Sequence, residues 1–193
     1  LKRVRAVISI LLSGCTIAGK GVVTDVAAVP AGKGLVVFST GAAQTSTSFA
    51  TRVTLVEAAS MKRYDKVAMS IDYPFASDFP DMHANVRTLT LPPGKYYLVP
   101  HAGNPAMLTT RAPIYSFEVK ANMIEYLGNI YLDGHFLALR NDFKERDIGF
   151  FVARNPALRD IPIEVDSLRI DRYLNDVNGA TFNVQGVIWE APR

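Results

Sequence analysis

From Gly34 onward, short apolar and β-branched runs are separated by turn-forming residues. GLVVFST (34–40) is a dense β-rich run. TSTSFATRVTLVEA (45–58) alternates from Phe49 through Val53 and Leu55, and NVRTLTL (85–91) alternates apolar with polar. That period of two sends successive side chains to opposite faces of a strand. DKVAMSIDY (65–73) is a further strand before Pro74. GKYYLVP (94–100) should present Tyr96 and Leu98 on one face, Tyr97 and Val99 on the other. IYSFEVK (114–120), MIEYLGNIYL (123–132) and HFLALR (135–140) follow as strands.

The connections carry turn chemistry. In LPPGKYYL, Pro93 pre-sets φ and Gly94 accepts a positive φ, the pattern of a type II turn. The flanking runs are therefore expected to pair as a hairpin. Ala121-Asn122 should turn the next pair, since Asn tolerates left-handed geometry. Asp133-Gly134 should turn the one after, completing a meander.

The period then changes. DFKERDIGFFVARNPAL (142–158) places Phe143, Ile148, Phe151 and Val152 at helical spacing, with Asp142 as N-cap and Pro156 as stop. Asp142, Glu145 and Asp147 sit beside Lys144 and Arg146, which reads as ion pairing on a wet helix face. DIPIEV (160–165) is an edge strand, because Pro162 lacks a donor. DSLRIDRYLNDV (166–177) is expected to be a second short helix with Leu168, Tyr173 and Val177 inward, and TFNVQGVIWE (181–190) a closing strand. The fold class is mainly β: an antiparallel β-sandwich with one or two short C-terminal helices.

Charge changes the picture at one end only. The chain of 193 residues carries a net +3, but without Lys2, Arg3 and Arg5 the rest holds equal numbers of acidic and basic residues. No basic run exists on the remainder, which argues against a nucleic-acid partner. Those three cations precede Ala6 to Leu12, an apolar run of seven residues. A spanning helix needs about 20. A signal-peptide core needs about 7–15, with positive charge ahead of it.

The run ends in Leu12-Ser13-Gly14-Cys15, which holds the only cysteine. It resembles the lipobox of bacterial lipoproteins. The resemblance implies export, cleavage between Gly14 and Cys15, and acylation at Cys15. Two or more acyl chains hold a protein stably at about 0.8 kcal/mol per buried CH₂. Thr16 in place of Asp favours the outer membrane, at its periplasmic face, for a Gram-negative source. The organisation implied is a signal peptide over 1–14, a lipidated tether over 15–33 and a sandwich with late helices over 34–193. With Cys15 lipidated, no thiol is left for a disulfide.

Leu91-Pro92-Pro93-Gly94-Lys95-Tyr96-Tyr97-Leu98 and Phe117-Glu118-Val119-Lys120-Ala121-Asn122, with Tyr126-Leu127-Gly128-Asn129-Ile130, resemble paired strands of prealbumin-like β-sandwich domains. The first piece is also similar to a strand of carboxypeptidase regulatory domains. Such domains recur in bacterial lipoproteins, and the resemblance implies a fold and an address without catalytic residues.

Candidate chemistry is sparse. Asp81 and His83 lie in YPFASDFPDMHA (73–84), read as a long loop, and His101 opens a second loop, HAGNPAMLTTRAP (101–113). These loops are the candidate binding elements. Asp81-x-His83 is short of the ligands a metal needs, so no metal is assigned. His135 follows a turn Gly and needs no catalytic explanation. Arg87, Tyr96 and Tyr97 could line a sugar-stacking face, although one tyrosine is expected in the core. Gly19-Lys20-Gly21 and Gly32-Lys33-Gly34 lack the rest of a phosphate loop, and there is no Gly-x-Ser-x-Gly elbow and no cofactor motif. The reading is a lipid-anchored, non-catalytic binding module, held to the membrane by its acyl chains, whose partner is another envelope protein, peptidoglycan or a glycan. The alternative is a metal-assisted envelope hydrolase using Asp81, His83 and His101.

Overall fold

The computed structural model describes residues 26–45, 51–61, 63–70, 77–102, 108–133 and 136–178. Gly14, Cys15, the leader, most of the tether, the Gly134-His135 turn and the expected strand 181–190 lie outside the described residues.

Among the described residues, ten strands form two sheets. In chain order they are β1 (Gly34–Ala43), β2 (Thr51–Glu57), β3 (Arg63–Ser70), β4 (Met82–Leu91), β5 (Gly94–Ala102), β6 (Leu108–Val119), β7 (Ile124–Asp133), β8 (Phe136–Arg140), β9 (Ile163–Val165) and β10 (Arg169–Asn178). One helix, α1 (Lys144–Arg154), and a 3-10 turn at Pro156–Leu158 lie between β8 and β9. The first sheet runs β4-β1-β7-β8, with β9 on β7, and the second runs β10-β6-β5-β2-β3. Within the first, β1 is antiparallel to β4 but parallel to β7.

The sheets pack face to face over Val36, Phe38, Leu89, Leu91, Leu127 and Ile130 from one side and Val53, Leu55, Tyr96, Leu98, Tyr115 and Phe117 from the other. The first sheet is apolar on both faces. Leu35, Val37, Val86, Ile124 and Tyr126 point away from the sandwich and are covered by Phe151 of α1 and by Leu158. This explains the run LVVF in β1: a strand buried on both faces reads as continuous hydrophobicity. The expected facing of β5 holds. Tyr96 and Leu98 enter the core between the sheets, while Tyr97 and Val99 join Val56 and Ile114 on the outer face of the second sheet.

Two expected hairpins are corrected. β4 and β5 belong to different sheets, as do β6 and β7. The left-handed turn at Asn122 forms, whereas the type II turn expected at Pro93-Gly94 does not, because Gly94 opens β5 at a φ far from the roughly 80° that such a turn needs. Gly94 has φ of 149° and Asn122 has φ of 61°, but each short connection arches from one sheet to the other. β5 instead starts against the end of β6, with Gly94 opposite Val119. At the second arch, the Asn122 side-chain oxygen accepts from the Gly32 N–H at 2.9 Å. The Asn122 N–H donates to the Lys33 carbonyl at 2.7 Å. These bonds tie together the entries of the parallel strands β1 and β7. β7 and β8 do pair antiparallel, Asp133 opposite Phe136, so the meander shrinks to that one hairpin.

The second expected helix is also corrected, because residues 169–178 form β10 along β6. Asp171, Asn175, Asp176 and Asn178 are poor helix formers. The open edge of β6 supplies a ladder that an isolated helix would lack. α1 begins at Lys144, and Phe143 rather than Asp142 occupies the cap without a side-chain bond. Within the stretch read as a tether, residues 26–33 are described. Val26 is buried, and its N–H donates to the Asn155 side-chain oxygen at 2.6 Å just past α1.

Candidate functional site

The residues singled out in the sequence do not converge. His83 lies within β4, opposite Ala42, in the first sheet. His101 lies within β5, opposite Arg52, in the second. Neither opens a loop. Among the described residues no group of three His, Cys, Asp or Glu could hold a metal ion. Asp81 is exposed at the end of the 77–81 turn. That turn is pinned rather than presented. The Ser77 hydroxyl accepts from the N–H groups of Phe79 and Ala84, at 3.2 and 3.0 Å. Asp78 accepts from the Val86 N–H at 2.9 Å. The Phe79 ring stacks under the Arg146 guanidinium at 4.0 Å and meets Phe150 at 5.1 Å, both on α1. Arg87, Tyr96 and Tyr97 share no face, since Tyr96 and Tyr97 point to opposite sides of the second sheet and Arg87 stands in the first.

The densest polar chemistry is buried. Asp147, in the first turn of α1, is fully enclosed. One carboxylate oxygen accepts from the Ser39 hydroxyl of β1 and from the Tyr126 hydroxyl of β7, the latter at 2.8 Å. The other accepts from Arg146 Nε at 2.9 Å and from its terminal nitrogen at 2.7 Å. Asn129 in turn donates to the Ser39 oxygen at 2.5 Å. Both hydroxyls and the Arg146 guanidinium point toward one carboxylate, and the helix N-terminus adds favourable field. Burial and the neighbouring Asp147 push the Tyr126 hydroxyl well above the ordinary phenol range. Serine, aspartate and tyrosine in contact suggest nucleophilic chemistry on paper, but Ser39, Tyr126 and Asp147 are all sealed from solvent. This cluster fastens the helix to the sheet. The wet-face reading of Asp147 is corrected: it shares the stripe of Phe143 and Phe151, four residues to either side, whereas Glu145 does face solvent.

Among the described residues, large apolar side chains are exposed at Phe136 of β8, at Val165 of β9 and along the margin of β10. Ile170 and Tyr173 pair with Tyr115 and Pro113 of β6, yet stand 46% and 43% exposed. Val165 of β9 is similarly exposed. The Arg111 guanidinium lies over the Tyr173 ring at 3.7 Å. Among the described residues no carboxylate pairs with Arg111. Behind them the Tyr115 hydroxyl is buried without a hydrogen-bond partner, and its pKa is raised by burial and by Tyr173. No protein-family model, curated protein or solved structure matches this chain. An aromatic ring, a stacked cation and aliphatic side chains thus lie exposed at this sandwich edge. The sequence reading missed this margin because it assigned 166–177 to a helix, which would have turned Tyr173 inward.

Proposed function

We propose that the chain is a lipid-anchored protein of a bacterial cell envelope whose sandwich is a non-catalytic binding module. The observation that carries the reading is Leu12-Ser13-Gly14-Cys15 placed directly after a cationic flank and a short apolar run. Support for the module comes from the exposed Tyr173–Arg111 margin and from the sealed state of the polar cluster around Asp147. The partner classes that suit such a margin are an envelope protein, peptidoglycan or another glycan. We further propose that the sandwich is of the prealbumin-like type. What supports this is the strand order, with β1 parallel to β7 in one sheet and short arches exchanging the chain between sheets.

The test is intact mass and membrane fractionation of the expressed protein beside a Cys15→Ser variant. The proposal expects a fragment beginning at Cys15 with a lipid increment, found in the membrane fraction, and loss of both in the variant. An unmodified N-terminus with both forms in the soluble fraction would overturn it.

A further inference from the structure

Among the described residues, Arg87 is a largely enclosed cation that no carboxylate meets at ion-pair distance, Asp78 acting on it only from farther away. The register of β4 fixes where Arg87 points. Leu89 and Leu91 enter the core between the sheets, while Val86 belongs to the core beneath α1. Alternation therefore directs Arg87 inward, beside Phe38 of β1. One terminal nitrogen donates to the Asn85 side-chain oxygen at 3.0 Å. Its Nε is out of contact with solvent and has no hydrogen-bond partner. Burial lowers its pKa to about 10, against a partial opposing pull from Asp78, so the group stays charged at neutral pH. Asp78 is committed elsewhere, to the Val86 N–H at 2.9 Å and to Arg154 at 3.7 Å.

Arg111 also lacks a carboxylate among the described residues, but it is exposed. Arg140, Arg146, Arg154 and Arg169 each meet a carboxylate. A buried charge without a counter-charge is costly, and a guanidinium offers five donors in a planar fork suited to two oxygens at once. The surroundings are polar where a sandwich interior is normally apolar. His83, Asn85 and Arg87 occupy successive inward positions of β4, and Thr40 stands opposite Asn85. Part of Arg87 reaches solvent, and β4 is the edge strand of its sheet.

We propose that the Arg87 fork, flanked by Asn85, binds an oxyanion, a carboxylate or a phosphate group, that enters at the β4 margin of the sandwich. The inference is independent of the lipid anchor. It gives the module a second contact point, on the opposite side from β10. The competing account is that an inward charge guards an edge strand against pairing with other chains.

The full 193-residue chain is titrated with sodium phosphate and, separately, with sodium acetate, against sodium chloride at constant ionic strength. The Nε–Hε resonance of Arg87, assigned by its loss in Arg87→Lys, and the melting temperature are followed. The proposal expects a saturable resonance shift and a rise in melting temperature with at least one anion, and the stronger of the two names the oxyanion class. Arg87→Lys keeps the charge but not the fork, and should bind about tenfold more weakly. Arg87→Met should lose the anion effect altogether. Absence of any saturable change in the wild-type chain, or an equal thermal response in Arg87→Met, overturns the proposal. So does self-association of Arg87→Met in the absence of a wild-type anion response, which would establish the edge-guard role. If Arg87→Met does not fold, the wild-type titration and Arg87→Lys decide the matter alone.

Discussion

Asp147 accepts four hydrogen bonds from three side chains, and only the folded chain brings those side chains together. Its removal leaves two buried hydroxyls without an acceptor and an arginine without its carboxylate. Asp147→Ala is therefore expected to cost about 3–4 kcal/mol, read from urea unfolding midpoints at constant slope. Ser39→Ala, which removes one of those four bonds and the acceptor of Asn129 but leaves the carboxylate with Tyr126 and Arg146, should cost less. Two tyrosines set the alkaline limit. Tyr115 and Tyr126 both have folded pKa values above the unfolded one. Below the unfolded value, about 10, both states are protonated and their contribution is complete. As pH rises past it the unfolded chain ionises while the native one does not, so stability falls by about 1.4 kcal/mol per pH unit for each tyrosine. Unfolding measured from pH 8 to 12 should show this slope reduced in Tyr115→Phe. At neutral pH that variant should be as stable as the parent, because the hydroxyl it loses has no partner. A drop in neutral-pH stability would mean that the hydroxyl is bonded.

Among the elements, the two arches differ from the hairpins they imitate in sequence. A tight turn with a positive φ specifies that the chain reverses, and says nothing of whether the two strands then pair. Pairing depends on which faces are apolar. β4 and β7 must each cover two layers, so they join the central sheet, while β5 and β6 pair with each other. Asn122 tests the arch. Asn122→Gly keeps the left-handed conformation and loses the bond to Gly32. Asn122→Ala loses both, and should be less stable than Asn122→Gly by about 1 kcal/mol in the same unfolding assay. Equal stabilities would show that the conformation is not what the residue supplies. The helix-to-strand error at 169–178 has a comparable cause. The spacing of Leu168, Tyr173 and Val177 fits a helix weakly, and the decisive term is the ladder offered by β6, more than fifty residues earlier in the chain. Asp147 was misread for the opposite reason. Its position on the apolar stripe was visible in the sequence, but the hydroxyls that make burial affordable come from β1 and β7.

At the scale of the whole molecule, the chain is layered as helix, sheet, sheet, with its polar chemistry divided between a sealed joint and two open margins. The sealed joint holds α1. The proposed contact points are Tyr173 with Arg111 on β10 and Arg87 on β4. A lipid anchor at Cys15 would confine both margins near a membrane and raise their effective concentration toward partners held there. The sequence by itself determined the β class, the strands carrying alternation, the facing of Tyr96 and Tyr97, the left-handed turn at Asn122 and the helix ahead of Pro156. These follow from local periodicity and from residues with one favoured backbone conformation, and need no distant partner. Only the tertiary structure decided which strands pair, that 169–178 extends along β6, that Asp147 is buried, and that His83 and His101 belong to different sheets. Each of those depends on contacts between residues far apart in the chain, where a gain of burial or of a shared hydrogen bond outweighs the local preference.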